Sequence, residues 1–366
     1  MKKDILVIGA GASGIGLGVI FKKLNLDFLI LEKNKIGHSF NLWTKETRFI
    51  SPSFTGNFFN MPDLNAITPD SSPAYTLLTE HPTGKEYAKY LNVVAKYYNL
   101  PIKEKTLVKN ISKKEGIFII ETNNGIYESN YLVWAAGEYQ YPKNNVFKGS
   151  NLCLHNSKIK SYKSLEGNEF VVIGAYESGM DAAINLSKLG KKVIVLDSHD
   201  NLNNILSDSS YSLSPFTRDR FNEYSKNITL INNSRVNEVY FDKKYFIKTK
   251  NNVFVSKTKP ILATGFDSSL ILVKDHFEFN NGNVILNDND ESTKVKNLFL
   301  VGPQVIHGDA IFCFIYKFRQ RFPIVAETIG KRLKLDKKIL NEIIDEYKKT
   351  NFYIKDLSNC GDSCSC

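Results

Sequence analysis

The chain carries one glycine pattern twice. Residues 4–8, DILVI, form a short apolar run rich in β-branched side chains, and they lead straight into Gly9, Ala10, Gly11, Ala12, Ser13 and Gly14. A helical register follows to about Lys23, and a second apolar run, FLILE, closes on Glu32, with Lys33 beside it. Later, FVVIG (170–174) leads into Gly174, Ala175, Tyr176, Glu177, Ser178 and Gly179, then a helical MDAAINLSKL and the run KVIVLD ending at Asp197. From the last glycine to the acid is eighteen residues in both cases. Strand, glycine turn, helix, strand and acid in this order form a dinucleotide fingerprint in its required context. The first glycine permits the tight turn, the second lets a pyrophosphate approach the backbone, and the third packs helix on strand. The helix start offers N–H groups and partial positive charge to the phosphates, and the acid can accept hydrogen bonds from a ribose.

The repetition extends further. Each half ends in a similar phrase, YLVWAAGEY (131–139) and PILATGFD (260–267), so Gly137 and Gly265 hold matching places. Short β-like segments precede each phrase: LVKNI, GIFIIET and GIYES in the first half, RVNEVYF, YFIKTK and VFVSK in the second. The expectation is an α/β fold of two Rossmann-like, three-layer dinucleotide-binding domains of one design. A length of 366 residues suits two domains.

The second fingerprint departs from the pattern, because Tyr176 stands where the middle glycine belongs. A Cβ and a ring there crowd the usual pyrophosphate path. Either the dinucleotide binds with displaced phosphates, or this half is structural. Asp197 favours NADH, since a carboxylate repels a 2′-phosphate, whereas Arg218 and Arg220 in SPFTRDRF can supply phosphate contacts or simply form ion pairs at a helix start.

The net charge of +10 comes from lysines spread along the chain. Nucleic-acid binding needs a clustered basic footprint, which is missing, so no nucleic-acid partner is expected. The N-terminal MKKDILVIGAGASGIGLGVIF imitates an export signal. Asp4, however, interrupts its start, and glycines and Lys22–Lys23 break the apolar stretch. No membrane partner and a cytoplasmic location are expected, where structural disulfides are rare. His81, His155 and His307 show no metal-ligand spacing, and no metal site is expected.

Two such halves, the first interrupted by the second, resemble the flavoprotein pyridine-nucleotide oxidoreductases. Within that group the chain is most similar to the flavin-containing monooxygenases and their small bacterial relatives. The stretches that carry this are GHSFNLWTKETRFISPSF (37–54), HPTGKEYAKYLNVVAKYYNL (81–100), ATGF (263–266) and the looser Phe147, Gly149, His155 set. The resemblance implies FAD in residues 1–150 and again in 269–335, NADPH or NADH in an inserted domain, 151–268, and a terminal helix and cysteine tail, 336–366. It makes Trp43 a cofactor contact and Arg48 and Ser51 catalytic candidates. It places Gly302 in the flavin-closing segment, with Gln304 replacing an acid that relatives carry where Pro303 stands. Asp309 is expected to cap a helix beginning near Ala310 whose positive end faces the flavin.

Hydride transfer needs positioning rather than a protein acid or base. The resemblance implies a monooxygenase in which a peroxyflavin oxygenates a small S- or N-nucleophile, given a site that excludes water. In the animal-type enzymes an Asn supports that species. Here Pro52 stands near that place, and Asn57 lies further along. A second relative is the bacilliredoxin-type disulfide reductases, whose first fingerprint carries a cysteine where this chain has Ser13. The chain ends in CGDSCSC, with Cys360, Cys364 and Cys366; only Cys153 and Cys313 occur elsewhere. Cys364 and Cys366 are candidate catalytic thiols that could pass electrons to a thiol or disulfide partner, with Cys313 as an inner relay. The same tail offers three thiolates to a soft metal but lacks a fourth ligand. The alternatives to oxygenation of a small-molecule substrate are therefore disulfide reduction through the tail, or a non-enzymatic flavin redox sensor.

Overall fold

The structure, a computed structural model, describes residues 1–54, 62–206 and 208–357. It divides into two compact units. One comprises Met1–Asn41, Pro52–Glu138 and the chain from Ser268 onward; the other comprises Leu42–Ser51 and Tyr139–Asp267.

In the first unit β1 (Lys2–Ile8) is buried along its second half, as its unbroken apolar run requires. It runs parallel to β2 (Phe28–Leu31), with α1 (Ala12–Lys23) as the connecting helix. Helix α2 (Gly84–Tyr97) starts on a capping box, in which Thr83 and Glu86 hold each other's backbone N–H. After β3 (Ile102–Lys103) the chain forms an antiparallel meander of β4 (Val108–Lys114), β5 (Ile117–Thr122) and β6 (Gly125–Trp134). The far end of β6 returns to pair parallel with β1. The order is β3-β2-β1-β6-β5-β4, and the strand Leu298–Leu300 adds to β6. At the carboxyl edge, Trp134 thus lies between Ile8 and Leu300.

The second unit repeats the plan. Its parallel sheet contains β7 (Leu154–His155), β8 (Glu169–Ile173), β9 (Lys192–Leu196), β10 (Ile228–Ile231) and a short strand Ile261–Leu262. The spatial order is β10-β9-β8, then Ile261–Leu262, then β7. Helix α3 (Glu177–Lys188) connects β8 to β9, and α4 (Pro215–Tyr224) precedes β10. The predicted β-like segments form an antiparallel trio, β11 (Val236–Asp242), β12 (Lys244–Thr249) and β13 (Val253–Ser256). Each unit has its own buried core, as one apolar sheet face and one helix stripe demand.

The boundaries differ from those drawn on the sequence. Residues 139–150 belong to the second unit, because Pro142 bridges to Phe266 and the Lys143 N–H donates to the Gly265 carbonyl at 3.1 Å. Residues 42–51 join it too: the Thr44 hydroxyl donates to the Ile159 carbonyl at 2.8 Å, and the Glu46 carboxylate accepts from Ser161 at 2.5 Å. The last helices, α5 (Phe322–Arg332) and α6 (Lys337–Lys349), belong to the first unit, and α6 buries Leu340, Ile344 and Tyr347. No helix among the described residues is long and apolar enough to cross a membrane.

Candidate functional site

Both fingerprints make the same turn under the same steric limits. Gly9 has φ +109° and Gly174 φ +104°, values that side chains rarely adopt. A Cβ on Gly14 would stand 1.9 Å from the Gly9 carbonyl oxygen, and one on Gly179 would stand 1.9 Å from that of Gly174. A Cβ on Gly9 would meet the Ala135 oxygen at 2.6 Å, and one on Gly174 the Ala263 oxygen at 2.3 Å. The repeated phrases AAG and ATG therefore have a physical role. In each unit their first residue forms the wall against which the fingerprint turns.

The first turn has room for a dinucleotide. A Cβ on Gly11 would meet nothing within 4 Å. The first intrahelical bond of α1 runs from the Ile15 N–H to the Gly11 carbonyl at 3.0 Å, so the N–H groups of Ala12, Ser13 and Gly14 precede the helical ladder. Glu32 holds the Ala10 N–H on Oε2 (2.9 Å) and the Asn34 N–H on Oε1 (2.8 Å). One bond per oxygen leaves each with capacity for a ribose hydroxyl. Burial pulls the neighbouring Lys33 ammonium below its usual pKa, against the attraction of Glu32. These residues fit the diphosphate and ribose of FAD.

Two further groups meet at the same sheet edge. Gln304 follows Leu300 by four residues, and its amide donates to Glu138 Oε2 at 3.1 Å. Glu138 follows Trp134 by four residues, directly after Gly137. Burial pushes its carboxyl above the usual carboxylate range, with Gln304 opposing. Two residues before Gln304, Gly302 runs against α1; a Cβ there would lie 2.8 Å from Ser13 Oγ. The sequence reading named Gln304 and missed Glu138. The signal was available, because the matching place in the second phrase is Phe266.

The expectation for Asp309 is corrected. No helix begins near Ala310. Gly308 (φ +56°) and Asp309 form the turn of a hairpin pairing Ile306–His307 with Ala310–Ile311. The next helix starts at Ile315, after Phe314. The sequence also missed a buried ionic cluster behind that hairpin. Asp290 accepts from His307 Nε2 at 2.6 Å and from Arg321 Nη2 at 2.8 Å. Arg321 also bonds the carbonyls of Asp288 and Ile354, so the cluster ties three chain segments together.

The second turn differs at the dinucleotide side. The Tyr176 ring turns toward the segment after β9, where its hydroxyl donates to the carbonyls of Ser212 and Ser209. The Glu177 carboxylate, which burial pushes up in pKa, accepts the Ser214 N–H and the Thr217 hydroxyl, both at 2.5 Å. Asp197 is 1% exposed. It accepts the N–H of His199 (3.1 Å) and of Asn201 (2.8 Å) and the Asn201 amide (2.8 Å). Arg218 bonds the carbonyls of Leu202, Asn204 and Leu213, and Arg220 pairs through Nη2 with Asp181 at 2.8 Å while its buried Nη1 bonds no described residue. The α3 start keeps N–H groups ahead of the first intrahelical bond, as in α1, and this fits a phosphate there.

Trp43, Arg48 and Ser51 lie in the second unit. Trp43 stacks on Phe49 with ring centroids 4.9 Å apart and lies 6.3 Å from Tyr139. His155 serves the fold, since its Nε2 bonds the Gly265 carbonyl at 3.0 Å. Cys313 is exposed, while Cys153 is half-buried. Cys360, Cys364, Cys366 and Asn57 lie outside the described residues. Among the described residues no group of three or more His, Cys, Asp or Glu could hold a metal.

Comparison with known proteins fits this geometry. Residues 6–302 match the family described as pyridine nucleotide-disulphide oxidoreductase. An uncharacterised CzcO-like oxidoreductase of Geobacillus kaustophilus is 32% identical over 191 residues, 50% of this chain and 51% of that protein. The chain thus spans about half the length of such relatives. The bacilliredoxin reductase Bdr of Bacillus subtilis is 24% identical over 345 residues, 91% of this chain and 99% of that protein. Among solved structures, the bacillithiol disulfide reductase of Staphylococcus aureus has a TM-score of 0.75 at 20% identity, over 91% of this chain and 99% of that one. A flavin-containing monooxygenase of Stenotrophomonas maltophilia has a TM-score of 0.69 at 16% identity, over the same shares. By the match of residues 6–302, the chain belongs to the pyridine nucleotide-disulphide oxidoreductase family, whose members are flavin-dependent oxidoreductases working with FAD and NAD(P)H.

Proposed function

We propose that this chain takes electrons from NAD(P)H through FAD and delivers them to a disulfide. The observation that carries this reading is the similarity to bacilliredoxin reductase along 91% of the chain and 99% of that protein. FAD would lie on the first turn: the N–H groups of Ala12, Ser13 and Gly14 would hold its diphosphate, Glu32 its ribose, and Gln304 and Glu138 would meet it at the sheet edge. NADH or NADPH would use the second turn, with the N–H groups of Glu177 and Ser178 toward its phosphates. When bound, FAD supplies two-electron acceptance from the nicotinamide and return of that pair to the acceptor. The protein's part is to orient the two rings and exclude water. Trp43, Arg48 and Ser51 are proposed to line the reaction region. Cys364 and Cys366, with Cys313, are proposed as thiols between the flavin and an external thiol or disulfide partner.

The test is anaerobic. Purified flavoprotein is mixed with NADH or NADPH and a panel of low-molecular-weight and protein disulfides, and nicotinamide oxidation is followed with free-thiol release. Two thiols per nicotinamide, lost in Cys364→Ser/Cys366→Ser, supports the reading. Nicotinamide oxidation that requires oxygen and yields no thiol overturns it.

A second reading, oxygenation of a small S- or N-nucleophile, is favoured by the monooxygenase-like stretches 37–54 and 81–100. Incorporation of one labelled oxygen atom into a product per nicotinamide oxidised would select it. Flavin reduction without turnover on any acceptor would leave the sensor reading.

A further inference from the structure

Glu138 is a second carboxyl, besides Glu32, at the sheet edge that carries the first glycine turn. Three parallel strands end side by side there: Ile8 beside Trp134, and Trp134 beside Leu300. The chain leaving Ile8 becomes the fingerprint, the chain leaving Trp134 reaches Glu138, and the chain leaving Leu300 reaches Gln304. The first two are locked together, since a Cβ on Gly9 would stand 2.6 Å from the Ala135 oxygen. The third is locked to the first where Gly302 meets Ser13. Glu138 is therefore fixed at the crevice beyond the carboxyl ends, the place where dinucleotides bind in such sheets.

Among the described residues its surroundings supply no countercharge, and the side chain bonded to it is the uncharged Gln304 amide. Ser13 on α1 and Ser269, whose N–H bonds the Gly137 carbonyl at 3.2 Å, border the same turns and are also uncharged. Among the described residues no Lys, Arg, His or second carboxylate contributes to its titration; burial dominates and already favours the neutral acid. A bound dinucleotide adds two effects of the same sign. It removes water from the carboxyl, and its diphosphate brings negative charge to the neighbouring helix start. Protonated, the group changes from acceptor to O–H donor and can meet a carbonyl or ring nitrogen of the ligand.

We propose that FAD binding to this chain is proton-linked through Glu138, whose carboxyl must be neutral while the dinucleotide is bound. This rests on the reading of the first turn as the FAD site. The sign follows from linkage: the bound state holds a proton that the free state releases, so affinity falls as pH rises through the free carboxyl's pKa. The fall approaches about tenfold per pH unit until the bound carboxyl titrates as well. Gln304, a donor, favours the charged form, so removing its amide should move the same slope to higher pH.

The experiment dilutes the full-length flavoprotein into buffers from about pH 5 to 9 and follows FAD release by fluorescence to equilibrium. The expected result is a dissociation constant that climbs with pH for the wild type, a flat profile for Glu138→Gln, and a displaced slope for Gln304→Leu. A flat wild-type profile, or a slope retained in Glu138→Gln, overturns the proposal. Proton uptake on adding FAD back, read with an indicator dye in weak buffer, tests the wild type without a variant. Uptake of no protons overturns the proposal even if Glu138→Gln fails to fold. Purification without flavin, and no FAD binding at any pH, would instead fail the underlying reading of the site.

Discussion

The Tyr176 hydroxyl donates to the Ser212 carbonyl at 2.9 Å, and this bond ties the defective glycine position of the second fingerprint to the segment after β9. The same segment is stapled by Glu177 at Ser214 and by Arg218 at Leu202, Asn204 and Leu213. Tyr176 thus replaces a glycine with a structural strut. Tyr176→Phe keeps the ring and loses the one hydroxyl proton that the Ser212 and Ser209 carbonyls share, at a cost of about 1 kcal/mol. Urea midpoints should fall accordingly, and limited proteolysis between residues 202 and 213 should quicken. Unchanged cleavage would show that the hydroxyl holds nothing.

Asp197 should matter to folding more than to coenzyme choice. Its carboxylate is buried and already holds three donors. Asp197→Ala leaves the N–H groups of His199 and Asn201 without their acceptor, costing on the order of 1–3 kcal/mol. The ratio of kcat/KM for NADH over NADPH should shift less than about tenfold. Inversion of that ratio would return the acid to its expected ribose role.

Sequence alone made the α/β fold with two dinucleotide turns legible because glycine spacing reports steric limits that hold in three dimensions. Gly14 and Gly179 each pack a carbonyl at a Cβ distance of 1.9 Å, and no other residue fits. Side-chain partners were less legible. Asp197 and Glu32 stand at the same distance from their glycines, yet Asp197 takes three donors from the loop that follows it, two of them on Oδ1, whereas Glu32 takes one on each oxygen. That difference depends on the path of residues 198–214, which spacing does not encode. Likewise Asp309 reads as a helix cap, but the positive φ at Gly308 closes a hairpin first. The membership of residues 42–51 in the second unit rests on bonds such as Thr44 to Ile159, 115 residues apart, which no local pattern announces.

Cys153 should be the slow thiol of this chain. It packs with Val146, Phe147 and Leu152 on the second unit's core, and burial pushes its thiol up to about 12, against the attraction of Lys259. At neutral pH it then holds about a thousandfold less thiolate than an ordinary cysteine. In a variant with Ser at 313, 360, 364 and 366, iodoacetamide should label Cys153 in urea and scarcely at all in the native state. Fast native labelling would remove it from the structural residues and make it a candidate redox thiol.

His155 should make the second unit sensitive to acid. Its Nε2 lies 3.0 Å from the Gly265 carbonyl, and its Nδ1 lies 2.9 Å from the Ser157 hydroxyl and 3.3 Å from the Ser157 N–H. Burial lowers the imidazole pKa, with Gly265 opposing and Lys158 assisting. The folded state therefore binds fewer protons than the unfolded state below the free-imidazole value of about 6.5. The stabilisation is fully present above that pH and is lost as pH falls through the lowered folded value. His155 ties β7 to the ATG phrase, so its protonation should loosen the wall behind Gly174. Denaturation midpoints of the wild type should fall between about pH 7 and 5, and His155→Gln should flatten that fall while lowering the neutral-pH midpoint. A His155 NMR titration centred above the free-imidazole value would reverse the sign of the linkage and sink the prediction.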